Sequence, residues 1–271
     1  MNNQQDHRNR WITGVVGLSI LLPVVGYASK PIFFLCIFLI TFLVLREFYE
    51  LVSCTSSSKI VGIALGLTLT GGFVAFHPVT LVATIAGIVL CSCIYSILPF
   101  QKNETGDTDL EKHLVGTLVI AFLFSHVLWL RELREGKLWV FFLLSVAFTG
   151  DTFALYGGKR WGRHKLSPRI SPGKTVEGTI IGLVGSCLGG VLFSQWFFPG
   201  FSIGVAVYLS LILGILAQLG DLWESIVKRK AKVKDSGWLL PGHGGFFDRV
   251  DSVLFSAPFL YYFIVLTKRF L

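Results

Sequence analysis

The chain has 271 residues, of which 53% are apolar and only 15% charged, against about 25% charged in an ordinary soluble domain. A mean hydropathy of +0.68 and recurrent apolar runs near or above 17 residues exclude a soluble globular domain and predict a polytopic membrane protein. The formal net charge of +8 does not point to nucleic acid here, because basic residues of membrane proteins crowd cytoplasmic loops and meet anionic headgroups.

In chain order the hydropathy predicts nine spans, at about 11–28, 31–48, 60–76, 78–98, 114–130, 138–157, 176–198, 201–227 and 250–267. Helices are expected, since a lipid-exposed backbone must satisfy its own hydrogen bonds, and the alternating pattern of a membrane barrel is missing. The fold class is therefore all-α, a single membrane domain over 1–271. The N-terminal stretch resembles a signal peptide, with a basic start, an apolar core and the small residues Gly26 and Ala28; it is read as an uncleaved first span. The dipeptides "HP" at 77–78 and "PG" at 199–200 suit tight outside turns. The five cysteines include no CxxC pair, so buried thiols are expected rather than zinc.

The basic residues orient the spans. With the N-terminus in the cytoplasm, 18 of the 24 Lys and Arg fall inside, and only Lys30, Arg131, Arg134, Lys137, Lys268 and Arg269 outside. That bias predicts N-terminus in and C-terminus out. It puts the two richest polar loops, 157–175 and 228–250, on the same cytoplasmic face. The catalytic spans are then expected over 138–271, with the spans of 1–135 carrying no catalytic motif.

Span eight holds Gln218, Asp221, Ser225 and Lys228 at helical spacing on one face, with Glu224 beside it. A carboxylate on a membrane helix is costly and should face a partner or a polar cavity; an interhelical salt bridge is the plainer explanation. Asp248 and Asp251 open span nine three residues apart, where carboxylates also favour the positive end of the helix. Capping explains one of them, and explains less of His243-Gly244-Gly245 before them or Arg249 between them. A glycine turn feeding a helix start suits phosphate. Asp221 and Asp248, from different helices, are a natural clamp for Mg²⁺. In "SPRISPGKTVEGT" (167–179) a Ser-Pro turn brings Lys174 and Thr175 to a helix start, with Glu177 in its first turn. The "GKT" is not a Walker A loop, because Pro168 stands where that motif needs glycine. A solvated basic loop is the plain alternative. Asp151 in "TGDTFALYGG" is another intramembrane carboxylate.

The run "SIVKRKAKVKDSGWLLPGHGGFFDRVD" (225–251) resembles the signature of the phosphatidate cytidylyltransferase (CDP-diglyceride synthase) family. "QLGDLWES" (218–225) and "GDTFALYGGKRWGRHKLSPRISPGKTVEG" (150–178) are similar to two further regions of that family. One position departs: Gly173 stands where the family has the first of two lysines, and Lys174 keeps the second. The chain length is closer to bacterial members.

The resemblance implies an integral enzyme of the bacterial inner membrane, commonly a homodimer, with its active site facing the cytoplasm. It implies conversion of CTP and phosphatidic acid to CDP-diacylglycerol and pyrophosphate, with Mg²⁺ or Mn²⁺ and an associated K⁺. By position, Asp221 and Asp248 are the expected metal ligands, joined by Asp251 or leaving Asp251 to orient Arg249. Lys174, Arg249 and Lys228 are expected to neutralise phosphates, and Ser171 and Thr175 to donate hydrogen bonds. Glu177, His243, Gly244, Gly245 and Asp151 complete the expected substrate-binding set. Two readings compete: a transferase acting from CTP on another lipid phosphate, and an ion-coupled transporter, which predicts midplane carboxylates and repeat symmetry. A lipid phosphatase is excluded, because "PGHGG" lacks the serine of its histidine motif and no "SR" pair exists.

Overall fold

The computed structural model describes residues 3–52, 54–75, 84–85, 110–240 and 244–267. Among them are eight helices: α1 (Asn3–Tyr27), α2 (Lys30–Leu51), α3 (Ser56–Gly72), α4 (Leu110–Glu132), α5 (Gly136–Trp161), α6 (Val176–Phe197), α7 (Ile203–Lys230) and α8 (Phe247–Thr267). The last residue of α3 leads into a 3₁₀ turn, Phe73–Ala75, and α4 carries a π-helical stretch, Val115–Phe122. Six helices, α2 and α4 to α8, are long and apolar enough to cross a membrane, as a core of about 30 Å requires. The apolar part of α1, Thr13–Tyr27, is shorter, and α3 has 17 residues. The expected span 78–98 lies outside the described residues except for 84–85. The chain is thus a polytopic membrane protein, and its described helices follow the expected spans to within a few residues, except that α1 begins at Asn3 rather than near residue 11.

The departure is at 157–175, expected to be a loop. There α5 continues to Trp161, and two short strands, β1 (Lys165–Ser167) and β2 (Ser171–Thr175), pair antiparallel. The apolar signal fades before the helix does, because Lys159 and Arg160 lie in its last turn, where cations suit the negative end of the dipole. The strands are too short to show a period of two in sequence.

The described chain divides into two compact units, residues 1–128 with 230–249, and residues 129–229 with 250–271. In the first, α2, α3 and α4 bury Leu45, Phe48, Tyr49, Leu69, Phe73 and Ile120. Polar cross-links join α3 to α4: Ser58 Oγ lies 2.9 Å from His113 Nε2, and Ser125 Oγ donates to Thr70 Oγ1 at 3.1 Å. Starts are set locally. Pro31 sits in the first turn of α2, where a missing N–H costs nothing, and the Thr55 hydroxyl accepts from Ser58 N to cap α3.

In the second unit α5 and α6 pack through small residues. Gly150, Ala154 and Gly158 recur every four residues on α5, and Gly178, Gly182, Ser186 and Gly190 on α6, the spacing that lets membrane helices approach closely. Their backbones come near enough for hydrogen bonds from Ser186 Oγ to Val146 O (3.1 Å) and from Ser145 Oγ to Gly189 O (3.3 Å). A Cβ on Gly182 would lie 2.8 Å from that of Ala154 and 3.1 Å from Gly150 O. At the opposite end Trp139 packs on Phe198, ring centroids 4.4 Å apart. Ser256 Oγ of α8 donates to Leu213 O of α7 at 3.2 Å. Gly182→Leu is expected to destabilise the protein by about 1–3 kcal/mol or more through overpacking. By contrast Gly71→Ala, whose new Cβ meets nothing within 4 Å, should stay within about 1 kcal/mol of wild type. Unfolding of the two variants in detergent compares them directly.

Candidate active site

Three carboxylates converge in the second unit. Asp221 and Glu224 lie on adjacent turns near the end of α7, and Asp251 follows in the first turns of α8. Each contributes an oxygen, and these lie within 4.8 Å of one another. What allows it is Gly220: any Cβ there would strike the backbone carbonyl of Asp251, so the missing side chain lets α7 and α8 meet at this level. Glu224 and Asp251 are buried, while Asp221 is partly open. Two lysines face the cluster. Lys174 Nζ lies 2.6 Å from Asp221 Oδ2, and Lys228 Nζ 2.5 Å from Glu224 Oε2. Asp251 Oδ1 accepts from Ser252 N at 2.7 Å and from the Ser252 hydroxyl at 3.1 Å.

Three carboxylates thus stand together, two of them paired with lysines. The cluster's donors are all oxygens, and one of its edges is open. That set fits a hard divalent cation such as Mg²⁺, which binds one or a few carboxylates and keeps positions for water and phosphate. A buried carboxylate cluster without enough cations would be costly.

The hairpin β1–β2 delivers Lys174. Its base is fastened by Glu177, the first acidic residue of α6, which accepts from Arg163 N (3.0 Å) and pairs with His164 Nδ1 (2.6 Å). Thr175 caps α6 by accepting from Gly178 N at 3.1 Å. The tip is held by Arg229 Nε, which donates to Ile170 O at 3.0 Å. Ser171 pairs with Ser167 in the strand register. Thus Lys174, Thr175, Lys228 and Asp221 meet at one end of this unit, and Glu177 serves the hairpin. Asp151 is exposed in the second half of α5.

The first unit holds the other half of the predicted set. Asp248 Oδ2 accepts from Ser236 N, Gly245 N and the Ser236 hydroxyl, each at 2.9 Å. Gly244 adopts φ +78, a conformation that favours glycine, and any Cβ there would strike Asp248 Oδ2. Arg249 is exposed. His243 lies outside the described residues. A carboxylate that sequence reading did not place in the site enters here: Glu47 of α2, 2% exposed. Its Oε1 accepts from Phe246 N at 3.0 Å; its Oε2 accepts from Phe247 N at 2.9 Å and from Ser236 Oγ at 2.8 Å. Glu224, likewise, stood beside the predicted face rather than in the site. Its signal was the i, i+3 spacing from Asp221. No local signal marks Glu47, which contacts residues some 200 positions away.

Lys228→Met should destabilise the metal-free protein by about 3–5 kcal/mol, because it leaves the buried Glu224 carboxylate without its lysine. The double variant Glu224→Gln/Lys228→Met should recover most of that loss, and Mg²⁺ should raise the melting temperature of the single variant more than that of the double. Thermal unfolding in detergent, with and without Mg²⁺, measures all three.

A model described as the cytidylyltransferase family matches residues 8–267. The phosphatidate cytidylyltransferase of Synechocystis sp. is 33% identical over 293 residues, covering 95% of this chain and 96% of that protein. The phosphatidate cytidylyltransferase of Staphylococcus saprophyticus is 36% identical over 263 residues, covering 93% and 96%. The uncharacterized protein YnbB of Escherichia coli is 35% identical over 237 residues, covering 83% and 76%. The match runs through the hairpin, α7 and α8 that carry the clustered carboxylates and lysines, and extends across the N-terminal helices as well: this chain belongs to the cytidylyltransferase family.

Proposed function

We propose that the protein transfers CMP from CTP to phosphatidic acid, giving CDP-diacylglycerol and pyrophosphate. The observation that carries the reading is the meeting of Asp221, Glu224 and Asp251 with Lys174 and Lys228 at one end of a helical unit, in a chain that resembles proteins named phosphatidate cytidylyltransferase over nearly its whole length. In the reaction an oxygen of the lipid phosphomonoester attacks the α-phosphorus of CTP. The bond from that phosphorus to the α–β bridging oxygen breaks, and pyrophosphate leaves with the electron pair. The nucleophile is already anionic near neutral pH, so positioning and charge neutralisation carry most of the work.

Asp221, Glu224 and Asp251 are the groups that would hold Mg²⁺. The ion supplies neutralisation of phosphate charge and a template for the two phosphate partners. A ligand role for Asp248 rests on its place in the signature, one helical turn before Asp251. Lys174, presented by the hairpin, exchanges its carboxylate partner for phosphate as substrate binds, while Lys228 stays paired with the buried Glu224 and adds its charge at the same end of the unit. The first N–H groups of α6 are already engaged, Val176 N by His164 O at 2.9 Å and Gly178 N by the Thr175 hydroxyl at 3.1 Å, which leaves the anion to the lysine side chains. Position 173 points into open space, with nothing within 4 Å of a Cβ built there, so the missing lysine of the family pattern leaves the face occupied by Lys174 intact. A second acceptor is kept in view because YnbB, as similar as the named enzymes, is uncharacterized: another lipid phosphate would use the same groups.

Radiolabelled CTP with phosphatidic acid and purified protein should yield a Mg²⁺-dependent CDP-lipid. No such product from folded protein, with a product from a different lipid phosphate, would transfer the reading to that acceptor; no product from any lipid phosphate would sink it. Asp221→Ala and Asp251→Asn should lower the rate at least about 100-fold, the scale on which removal of a group that stabilises developing charge is felt. Lys174→Ala should cost about 10- to 100-fold, from about 1.5–3 kcal/mol for a hydrogen bond to a charged group. Gly173→Lys should change kcat/KM by less than about three-fold, because a charge on an exposed side chain facing water contributes little. In a cysteine-free background, Gly173→Cys should react with an impermeant thiol reagent only after the membrane is opened, and Gly200→Cys in intact cells; the reverse pattern would invert the proposed orientation.

A further inference from the structure

The N-terminal half of the chain carries none of the sequence motifs of the reaction, yet it sends one carboxylate into the signature loop. Glu47 is buried, and all three groups that donate to it belong to residues 236–247. Two of them, Phe246 N and Phe247 N, stand at the start of α8, where backbone N–H groups have no partner within the helix. A local Ser, Thr, Asn or Asp ordinarily serves that need at small cost. A glutamate from another helix is a more demanding solution, since a carboxylate must be taken out of water and fully satisfied. What it provides, and a local cap does not, is a fixed position of the turn against α2.

The surrounding glycines are shaped to it. A Cβ on Gly237 would lie 2.7 Å from Glu47 Oε1, and one on Gly245 would strike both Glu47 Oε2 and Ser236 Oγ. Ser236 then passes the constraint on. Its Oγ lies 2.8 Å from Glu47 Oε2 and 2.9 Å from Asp248 Oδ2, and with a single hydroxyl hydrogen it donates to one carboxylate at a time. Glu47 therefore holds the turn and, through Ser236, bears on Asp248.

We propose that Glu47 is a positioning residue for CMP transfer: it fixes the turn residues 236–240 and 244–247 and the first turn of α8, and with them the carboxylate of Asp248, whose ligand role rests on its place in the signature. The inference rests on the reading of the signature loop as part of the site for CMP transfer. A plain fold staple would give the same contacts, so the test needs a readout that a staple would not move. Glu47→Gln keeps the size and one oxygen acceptor. With the variant monodisperse in detergent, amide exchange at Phe246 and Phe247 should quicken at least about ten-fold. In CMP transfer, kcat should fall at least about ten-fold and the Mg²⁺ concentration for half-maximal rate should rise at least about five-fold, with KM for phosphatidic acid within about two-fold. Ser236→Ala removes only the bridging hydroxyl and should raise the Mg²⁺ requirement while leaving exchange at Phe246 and Phe247 near wild type.

Unchanged exchange in Glu47→Gln overturns the proposal. Faster exchange with unchanged kcat and Mg²⁺ requirement also overturns it and leaves a staple. If Glu47→Gln does not fold, Ser236→Ala decides: a wild-type Mg²⁺ requirement there overturns the proposal, and a raised one supports it. Should the wild-type protein transfer no CMP to phosphatidic acid, the functional reading fails on its own. Glu47 is then judged by whether Mg²⁺ with CTP slows exchange at Phe246 and Phe247 in wild type but not in Glu47→Gln; equal slowing in both overturns it.

Discussion

Like charges brought together out of water are the constraint on which the C-terminal unit depends. Asp221, Glu224 and Asp251 hold oxygens within 4.8 Å of one another. At an effective dielectric near 20, each such pair of unit charges repels by about 3–4 kcal/mol. Nothing in helix packing requires that arrangement, and apolar side chains would fill the same volume at less cost. Lys174 and Lys228 offset part of it. The geometry of α7 and α8 keeps the three carboxylates in one place. Gly220 permits the close approach, and Ser256 bonds α8 to the carbonyl of Leu213 two turns earlier in α7.

The hairpin serves the same cluster. Lys174 could not reach Asp221 from a floppy loop without losing the entropy of ordering that loop at every encounter. Two strands, the Glu177 clamp on Arg163 and His164, and the Arg229 bond to Ile170 order it in advance. Behind it, the small residues of α5 and α6 let two helices pack at short range without apolar bulk, as membrane helices must when lipid is as apolar as leucine. Packing, hairpin and charge cluster are thus consecutive links: Gly150 and Gly182 set α6 against α5, α6 carries Thr175 at its start, and the strand before Thr175 aims Lys174.

How much of this was legible in sequence depends on the range of each interaction. Helices α2 and α4 to α8 announce themselves because hydropathy is a sum over neighbours in the chain. Asp221, Lys228 and Lys174 stand out because a charge on an apolar helix, or a lysine at a helix start, is locally anomalous. Residues 165–175 did not read as strands, since five residues with Ser, Pro and Gly carry no periodicity. Glu224 was half legible: its spacing from Asp221 is a helical neighbour's, but its burial against Lys228 is a fact of packing. Glu47 was illegible. In "LREFYEL" it is one acidic residue near the end of a span, next to Arg46 and three before Glu50, which pair with each other at the surface. Only the three-dimensional meeting of α2 with the 236–247 turn separates the buried Glu47 from the exposed Glu50.

That meeting changes what the glycines of the signature mean. Read along the chain, Gly244 and Gly245 suggest a turn open to phosphate, the reading that glycine before a helix start always invites. Gly244 does carry φ +78 and yields its Cβ space to Asp248. Gly245 and Gly237, however, yield theirs to Glu47. A glycine that makes room for a protein carboxylate is not also making room there for a ligand's phosphate, because the two anions would compete for the same N–H groups. The donors Phe246 N and Phe247 N are already committed to Glu47. The glycine turn is thereby better understood as a seat for protein carboxylates, Glu47 on one side and Asp248 on the other, with Ser236 between them.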